Sequence, residues 1–449
     1  MKKHEGTSPG ALVVWMGVVT LVVVVVVVVA RARATEAEVA SYHTALPDRP
    51  GHALTEPRFE RVATTSIPVA LPSILMRCPS MSRGGDLLCQ KPSTTETSWA
   101  VISSEKGKPQ WGRMEMLYPE DGESYLGVNH SISSDGQTLF TVVNVGGTTR
   151  FIFWYRKPPA GTWTRLHHID KNGGVTSAYC EFARDSDNWI CASTDNHIFF
   201  FHRRDSQAGA RWEETPGITR EPSAYAFRVP VPHFRKCHLM IGQISGQTIV
   251  YERPTTQSPW NDGYTLPLPN DISLTPIGAS GWPGALNSTG TRAIVTVYQL
   301  NDDFELQPPP QDTGYLTEYT RQPDGTWKQW GASLHLGLTL SRATFDLSLA
   351  TTPDLRLVWV YSAQTGNVAD AEQQLGEILV MWRASVNEPL KQVQKLGPPT
   401  DTVNTDFVGF RVSPDGQYGY LREDDRSGAL VYRLHLYQNK NHSSWGHSG

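Results

Sequence analysis

The sequence predicts an all-β fold built by repetition of one four-stranded unit, and three observations carry that expectation. The first is a tight turn, Ser413-Pro414-Asp415-Gly416, flanked by runs rich in Val, Phe, Leu and Tyr, with a weaker copy at Ser133-Ser134-Asp135-Gly136. An Asp-Gly pair suits a hairpin because glycine reaches positive φ without a Cβ clash and the Asp side chain bonds back to the following backbone. The second is a constant spacing: Trp111 lies 24 residues before Asp135, Trp163 lies 24 before Asp187, and Leu390 lies 25 before Asp415. The third is a register of arginines that follow a β-like run and precede a tryptophan. Its pairs are Arg156 and Trp163, Arg203 and Trp212, Arg253 and Trp260, and Arg321 and Trp327, with Leu390 standing in for the aromatic after Arg383.

Composition agrees with that class and excludes others. The chain has 449 residues with 40 Lys plus Arg against 44 Asp plus Glu, a net charge of −4 and a pI near 6.4. A nucleic-acid binder would carry a basic excess, so no nucleic-acid partner is expected. The 14 Trp, 38 Gly and 31 Pro, with few helix-compatible runs, point to a turn-rich all-β domain.

Taken in order, residues 1–10 form a short tail. Residues 11–30 are an uninterrupted apolar run that includes the eight valines Val22 to Val29. At about 1.5 Å per residue, roughly twenty helical residues cross the roughly 30 Å hydrocarbon core. A transmembrane helix acting as signal anchor is the expectation. The rival is a cleaved signal peptide, since Ala32-Arg33-Ala34 has the form of a cleavage site. Residues 31–56, with Pro47 and Pro50 and no apolar period, read as a stalk, residues 57–440 as the repeat domain and residues 441–449 as a tail.

Within the repeat domain the unit is an inner strand, the turn, a second strand, a loop, a third strand ending near the arginine, a turn, and a fourth strand carrying the tryptophan. The second unit shows it at Ser131 to Ile132, Thr138 to Asn144, Arg150 to Tyr155 and Thr162 to His167. Units of this kind are the signature of a β-propeller. Turns fall at Gly84-Gly85, Asp135-Gly136, Asp187-Asn188, a degenerate position near His233, Thr289-Gly290, Pro353-Asp354 and Asp415-Gly416. That predicts a seven-bladed β-propeller, or a six-bladed one if the degenerate turn is no turn. A ring must close, and Phe59 in Arg58-Phe59-Glu60-Arg61-Val62 stands where a tryptophan-bearing strand should be. The N-terminal run is therefore expected to supply the outer strand of the last blade.

The stretch Ser413-Pro414-Asp415-Gly416-Gln417-Tyr418 resembles the inner-hairpin motif of TolB-type propeller repeats, and Ser133 to Thr138 is similar to it. The likeness covers the periodicity of roughly residues 57 to 440 and is specific at those two places. It implies a fold and no activity.

Two cysteine pairs share one spacing, Cys78 with Cys89 and Cys180 with Cys191, each bracketing an inner turn. Residues so placed across a hairpin lie opposite or nearly opposite one another, so two disulfides and an oxidising compartment are expected, with buried thiols as the alternative. Cys237 has no such companion. Sequons at Asn129, Asn287 and Asn441 are glycosylation candidates, although their number is what chance allows.

Catalytic signatures are absent from the sequence: there is no Gly-x-Ser-x-Gly, no His-Glu-x-x-His, no phosphate loop and no Cys-x-x-Cys. His167 and His168 are adjacent on a predicted strand, where neighbours point to opposite faces, so they read as core and surface neighbours and not as metal ligands. Asp324-Gly325-Thr326-Trp327 and Gly161-Thr162-Trp163 resemble part of the sialidase Asp-box, which is structural even there. Arg184, Arg228 and Arg411 fall on predicted inner strands and are candidates for an axial anion site, since a guanidinium donates to a carboxylate through a bidentate fork. Ordinary paired side chains are the alternative. Acidic loops carry Asp302, Asp303 and Glu305, then Asp370 and Glu372, then Glu423, Asp424 and Asp425. They read as a solvated rim, with a Ca²⁺ site or a basic partner as the sharper reading. No other cofactor is expected.

Together these expectations describe a single-pass membrane protein with its propeller on the extracellular or lumenal side, acting as a binding, adhesion or receptor module for a protein or glycan. The alternative is a membrane-anchored glycan hydrolase of sialidase-like architecture, a group whose propellers have six blades.

Overall fold

In a computed structural model of the chain, the residues described are 55–68, 80–91, 98–104, 111–157, 161–172, 179–183, 186–193, 197–203, 210–219, 228–233, 239–244, 247–272, 279–281, 284–299, 313–336, 349–363, 376–396, 405–425 and 431–441. Among them no helix is long and apolar enough to cross a membrane. The span expected at 11–30 lies outside these residues, as do the tail at 1–10 and almost all of the stalk.

The described strands form seven antiparallel sheets arranged as the blades of a propeller. Blade one holds Ser80–Met81, Leu87–Lys91, Ser98–Ser104 and Trp111–Leu117. Blade two holds Glu123–Ile132, Thr138–Val145, Thr148–Tyr155 and Thr164–Asn172, and blade three holds Tyr179–Ala183, Ser186–Ser193, His197–Arg203 and Trp212–Thr219. Blade four holds Arg228–His233, Leu239–Ile244, Gln247–Glu252 and Tyr264–Thr265. Blade five runs through Ala279–Gly281, Arg292–Gln299, Thr313–Arg321 and Trp327–Gln329, with Ala285–Leu286 and Leu334–His335 pairing at its side. Blade six holds Leu349–Thr351, Leu357–Ala363, Gly376–Trp382 and Lys391–Leu396. Blade seven holds Thr405–Val412, Tyr418–Asp425 and Val431–Asn439, and its outer strand is Phe59–Pro68 from the other end of the chain.

That last pairing is the closure expected from Phe59. The N-terminal strand runs antiparallel to Val431–Asn439, from Phe59 opposite Asn439 to Pro68 opposite Val431, with a bulge between Arg61 and Ala63. The pairing extends further than the sequence boundaries suggest. Thr55 Oγ1 donates to the Asn441 carbonyl at 2.8 Å, and Lys391 Nζ meets Glu56 at 2.9 Å. Residues 55 and 56, placed with the stalk, and Asn441, placed with the tail, are therefore held on the propeller.

The ring is held by apolar contact between consecutive blades, which is why the second and third strands lose the in-out alternation of a half-solvated strand. In blade two, Leu139, Phe140, Val142, Val143, Phe151, Ile152 and Phe153 are all fully buried, because both faces of the sheet are covered by neighbours. Phe140, Phe151 and Phe153 pack on Phe182, Phe201 and Trp212 of blade three, while Leu139 and Ile152 pack on Leu88 and Trp99 of blade one. The circuit ends with Tyr420, Leu434 and Leu436 of blade seven against Met81, Leu87 and Ile102 of blade one. Each such large side chain contributes about 1.5–3 kcal/mol by leaving water. The outer strand Thr164–Asn172, covered on one side only, alternates between exposed and half-buried.

The inner turns share one bonding scheme even where the sequence motif has eroded. Ser133, Thr352 and Ser413 each donate a hydroxyl hydrogen bond of 2.6 Å to the Asp two residues on. The same oxygens accept the backbone N–H of Thr138, Leu357 and Tyr418. In blade five Asn287 takes the role, its Oδ1 accepting from the N–H groups of Thr291 and Arg292. The third turn departs from expectation: Ala183 pairs with Ser186, so Asp187 and Asn188 lie within the second strand. The Asp-Gly-Thr-Trp stretch makes its predicted hairpin, with Gly325 at φ +84° and Thr326 bonded to Asp324 Oδ1.

Candidate functional site

The arginines that set the sequence register form one device repeated from blade two to blade six. Each stands at or just beyond the end of a third strand and reaches back to the preceding blade. Arg156 bonds Asp86 and, at 3.1 Å, Ser103 of blade one. Arg203 donates to Thr138 of blade two at 3.3 Å, and Arg253 to the Pro216 carbonyl of blade three at 3.2 Å. Arg321 Nη2 meets both oxygens of Glu252 in blade four at 2.6 and 2.7 Å, and Arg383 Nη1 meets Glu318 of blade five at 2.7 Å. The tryptophans explain the spacing. Arg156 lies 4.9 Å from the Trp163 ring centre, Arg203 5.5 Å from Trp212 and Arg253 4.5 Å from Trp260. A flat guanidinium can stack on an aromatic face while its edge donates hydrogen bonds, which lysine cannot do.

Two of these brackets concentrate charge. At the interface of blades one and two, Arg156 also donates to the Gly136 carbonyl at 2.8 Å, beside Asp86. Gly136 has φ +70°, and a Cβ there would stand 2.8 Å from Asp86 Oδ2, so the turn needs glycine for both conformation and space. The neighbouring turns are linked: the Arg83 N–H donates to the Ser134 carbonyl at 2.8 Å, and the Asp135 N–H donates to Asp187 Oδ1 at 3.3 Å. Burial, and then the nearby Asp135 carboxylate, push the Asp187 carboxyl up to about 6.

At the interface of blades five and six, Arg292, Glu318 and Arg383 are buried together, at 8%, 8% and 1% exposure. Arg383 donates from Nε to the Leu355 carbonyl at 3.0 Å and from Nη1 to Glu318 and to the Glu388 carbonyl. Arg292 lies 4.2 Å from the Trp330 ring centre and donates from Nη2 to Asn387 Oδ1 at 3.4 Å. Burial pushes the Glu318 carboxyl up against the opposing pull of Arg383. Burial also lowers Arg292, with Glu318 acting against that shift and Arg383 adding to it. This group was not legible in the sequence, where Glu318 is an acid in an alternating strand and Arg292 precedes no tryptophan in the register.

The axial arginines are not brought together by anything described. Arg184 lies outside the described residues, just past the end of its inner strand, and the side chain of Arg228 is likewise outside them. Arg411 is half-buried on the inner strand of blade seven, opposite Tyr420, and donates to the Phe410 carbonyl at 3.0 Å. Asp302, Asp303, Glu305, Asp370 and Glu372 lie outside the described residues. Glu423, Asp424 and Asp425 belong to a strand, Tyr418–Asp425, and not to a loop. Among the described residues no group of three or more metal-ligating side chains converges.

His167 and His168 divide as expected. His167 stacks on Phe153 at 4.7 Å and accepts the Trp212 N–H, while His168 is exposed. The Cys180–Cys191 pairing does not match the strand register. The register sets Cys180 opposite Ala192 and Cys191 opposite Glu181, so the two are not cross-strand partners, and the Cys180 side chain lies outside the described residues. Cys191 instead packs with Trp189, Phe200 and Tyr251 in the core between blades three and four. Cys89 lies in Leu87–Lys91 with its side chain outside the described residues, and Cys78 and Cys237 are wholly outside them. Of the sequons, Asn287 is 3% exposed and its Nδ2 donates to Thr289 and Thr291 within the turn. Asn441 is exposed with its Nδ2 donating to the Glu56 carbonyl, and the Asn129 side chain is outside the described residues.

No protein-family model matches the chain, and no curated protein matches it. Several solved structures are similar to it. The WD40 domain of SCAP from fission yeast is 8% identical across 85% of this chain and 98% of that one, with a TM-score of 0.40. The periplasmic gluconolactonase of Pseudomonas aeruginosa is 13% identical across 81% and 95%, with a TM-score of 0.42. Hydrazine synthase of Kuenenia stuttgartiensis is 11% identical across 86% and 98%, with a TM-score of 0.45. At these identities and scores the likenesses carry no argument about activity. The chain is a β-propeller by its own strand order and closure.

Proposed function

We propose that the protein is a single-pass, membrane-anchored propeller on the extracellular or lumenal side, acting as a binding, adhesion or receptor module for a protein or glycan. The observation that carries the binding reading is the use of the arginine register. Arg156, Arg203, Arg253, Arg321 and Arg383 each reach from one blade to the blade before it, which ties the ring into a stiff platform. The apolar run at 11–30 supports the anchor, on length alone.

The glycan-hydrolase reading needs an arginine cluster on the axis beside a tyrosine or carboxylate pair. Arg411, the one axial candidate whose side chain is described, is engaged by the Phe410 carbonyl. The described strands also form seven sheets, where the sialidase architecture has six blades.

Protease added to intact cells or sealed vesicles should digest residues beyond 57 while a tag before residue 11 stays protected; protection of the propeller would overturn the orientation. Full-length protein in detergent, applied to glycan and secreted-protein arrays, should show at least one saturable ligand. Release of a free sugar from a bound glycan would move the assignment to the hydrolase.

A further inference from the structure

The buried charge between blades five and six does not balance. Two guanidiniums, Arg292 and Arg383, share one carboxylate, Glu318, among the described residues there. Arginine stays protonated inside proteins, so the imbalance among the described residues is a full positive charge, and an uncompensated buried charge is strongly destabilising. The bonding has the same shortfall. Arg383 has its Nε and Nη1 satisfied and Arg292 has its Nη2 on Asn387, but Arg383 Nη2 and Arg292 Nη1 are buried with no protein partner among the described residues. Both residues are more than nine-tenths buried. Asn387, which holds Arg292, is exposed.

We propose that this interface is a binding site for one small inorganic monoanion of chloride size, held by Arg292 and Arg383 with Glu318 fixing Arg383 from the far side. An anion there supplies the missing acceptor for both nitrogens and neutralises the excess charge, which a water molecule cannot do. Because the two arginines come from different blades, the anion would act as a pin between them, and its loss would loosen that one interface.

The test uses the full-length protein in detergent with chloride exchanged for gluconate at constant ionic strength. Chloride should raise the midpoint of thermal unfolding in a saturable way. Arg292→Gln should raise the half-saturating chloride concentration by about tenfold or more, the size of a lost charge-assisted hydrogen bond. If that variant does not fold, Asn387→Ala, at an exposed position, should still weaken chloride several-fold by releasing Arg292. Crystals grown with bromide should show an anomalous peak between the two guanidiniums. Equal midpoints in chloride and gluconate, an unchanged chloride dependence in the foldable variant, or water alone at the site in bromide crystals would each overturn the proposal.

Discussion

The guanidinium of Arg156 lies 4.9 Å from the centre of the Trp163 ring while the same group bonds Asp86 of the preceding blade and the carbonyl of Gly136 in its own turn. One side chain thus ties a hairpin, a turn and an adjacent blade. Arg156→Lys keeps the charge but loses the planar fork. It should destabilise the propeller by about 1–3 kcal/mol in denaturant titrations, with a shift in tryptophan fluorescence. An unchanged midpoint would show that a point charge suffices.

Leu355 holds φ at +54° in the turn position that Gly136 and Gly416 occupy in blades two and seven, and its side chain is fully buried. Left-handed backbone costs a non-glycine residue about 1–2 kcal/mol, here offset by burying a leucine. Both Leu355→Ala and Leu355→Gly should destabilise by about 1–4 kcal/mol through the lost packing. The order should be inverted from the usual one, with glycine about 1 kcal/mol less harmful than alanine, since only glycine escapes the strain. Alanine proving the milder change would rule out that account.

The Asp187 carboxyl, raised to about 6 by burial and by Asp135, gives a pH signature. A folded-state value above the ordinary 3.8 means that the native state holds the proton more tightly. The associated stability is fully present below about pH 4 and is lost as pH rises through about 6. Asp187→Asn, which can still accept the Asp135 N–H, should therefore be more stable than the parent by on the order of 1 kcal/mol at neutral pH. That gain should fade towards zero on acidification below about pH 4. A variant less stable than the parent at neutral pH would contradict the assignment.

Cys180→Ser should leave both the non-reducing mobility and the unfolding midpoint unchanged, because the register sets Cys180 opposite Ala192 and not opposite Cys191. A mobility change on this substitution, measured with and without reductant, would mean that the strands pair one residue out of the register described.

The architecture was legible in the sequence to the extent that it is made of local signals. Ser413-Pro414-Asp415-Gly416 announces a turn through residues that contact one another within it, and Phe59 announced ring closure because it kept the spacing of the missing strand. The eroded turns were harder to read. Thr352 and Asn287 preserve the hydrogen bonds of Ser413 with different side chains, so the scheme survives where the letters do not. The arginine register was visible as a spacing, but its purpose was not, since each arginine's partner sits on the preceding blade.

What the sequence determined by itself was the repeat, the hairpins and the strand that closes the ring, because turn chemistry and alternation act over a few residues. Only the tertiary structure decided which face each side chain takes and which charges meet. The pairing register sets Cys191 opposite Glu181, one residue away from Cys180, and the meeting of Arg292, Glu318 and Arg383 depends on how blade five packs on blade six. Those outcomes follow from contacts between segments far apart in the chain, where neither period nor motif carries information.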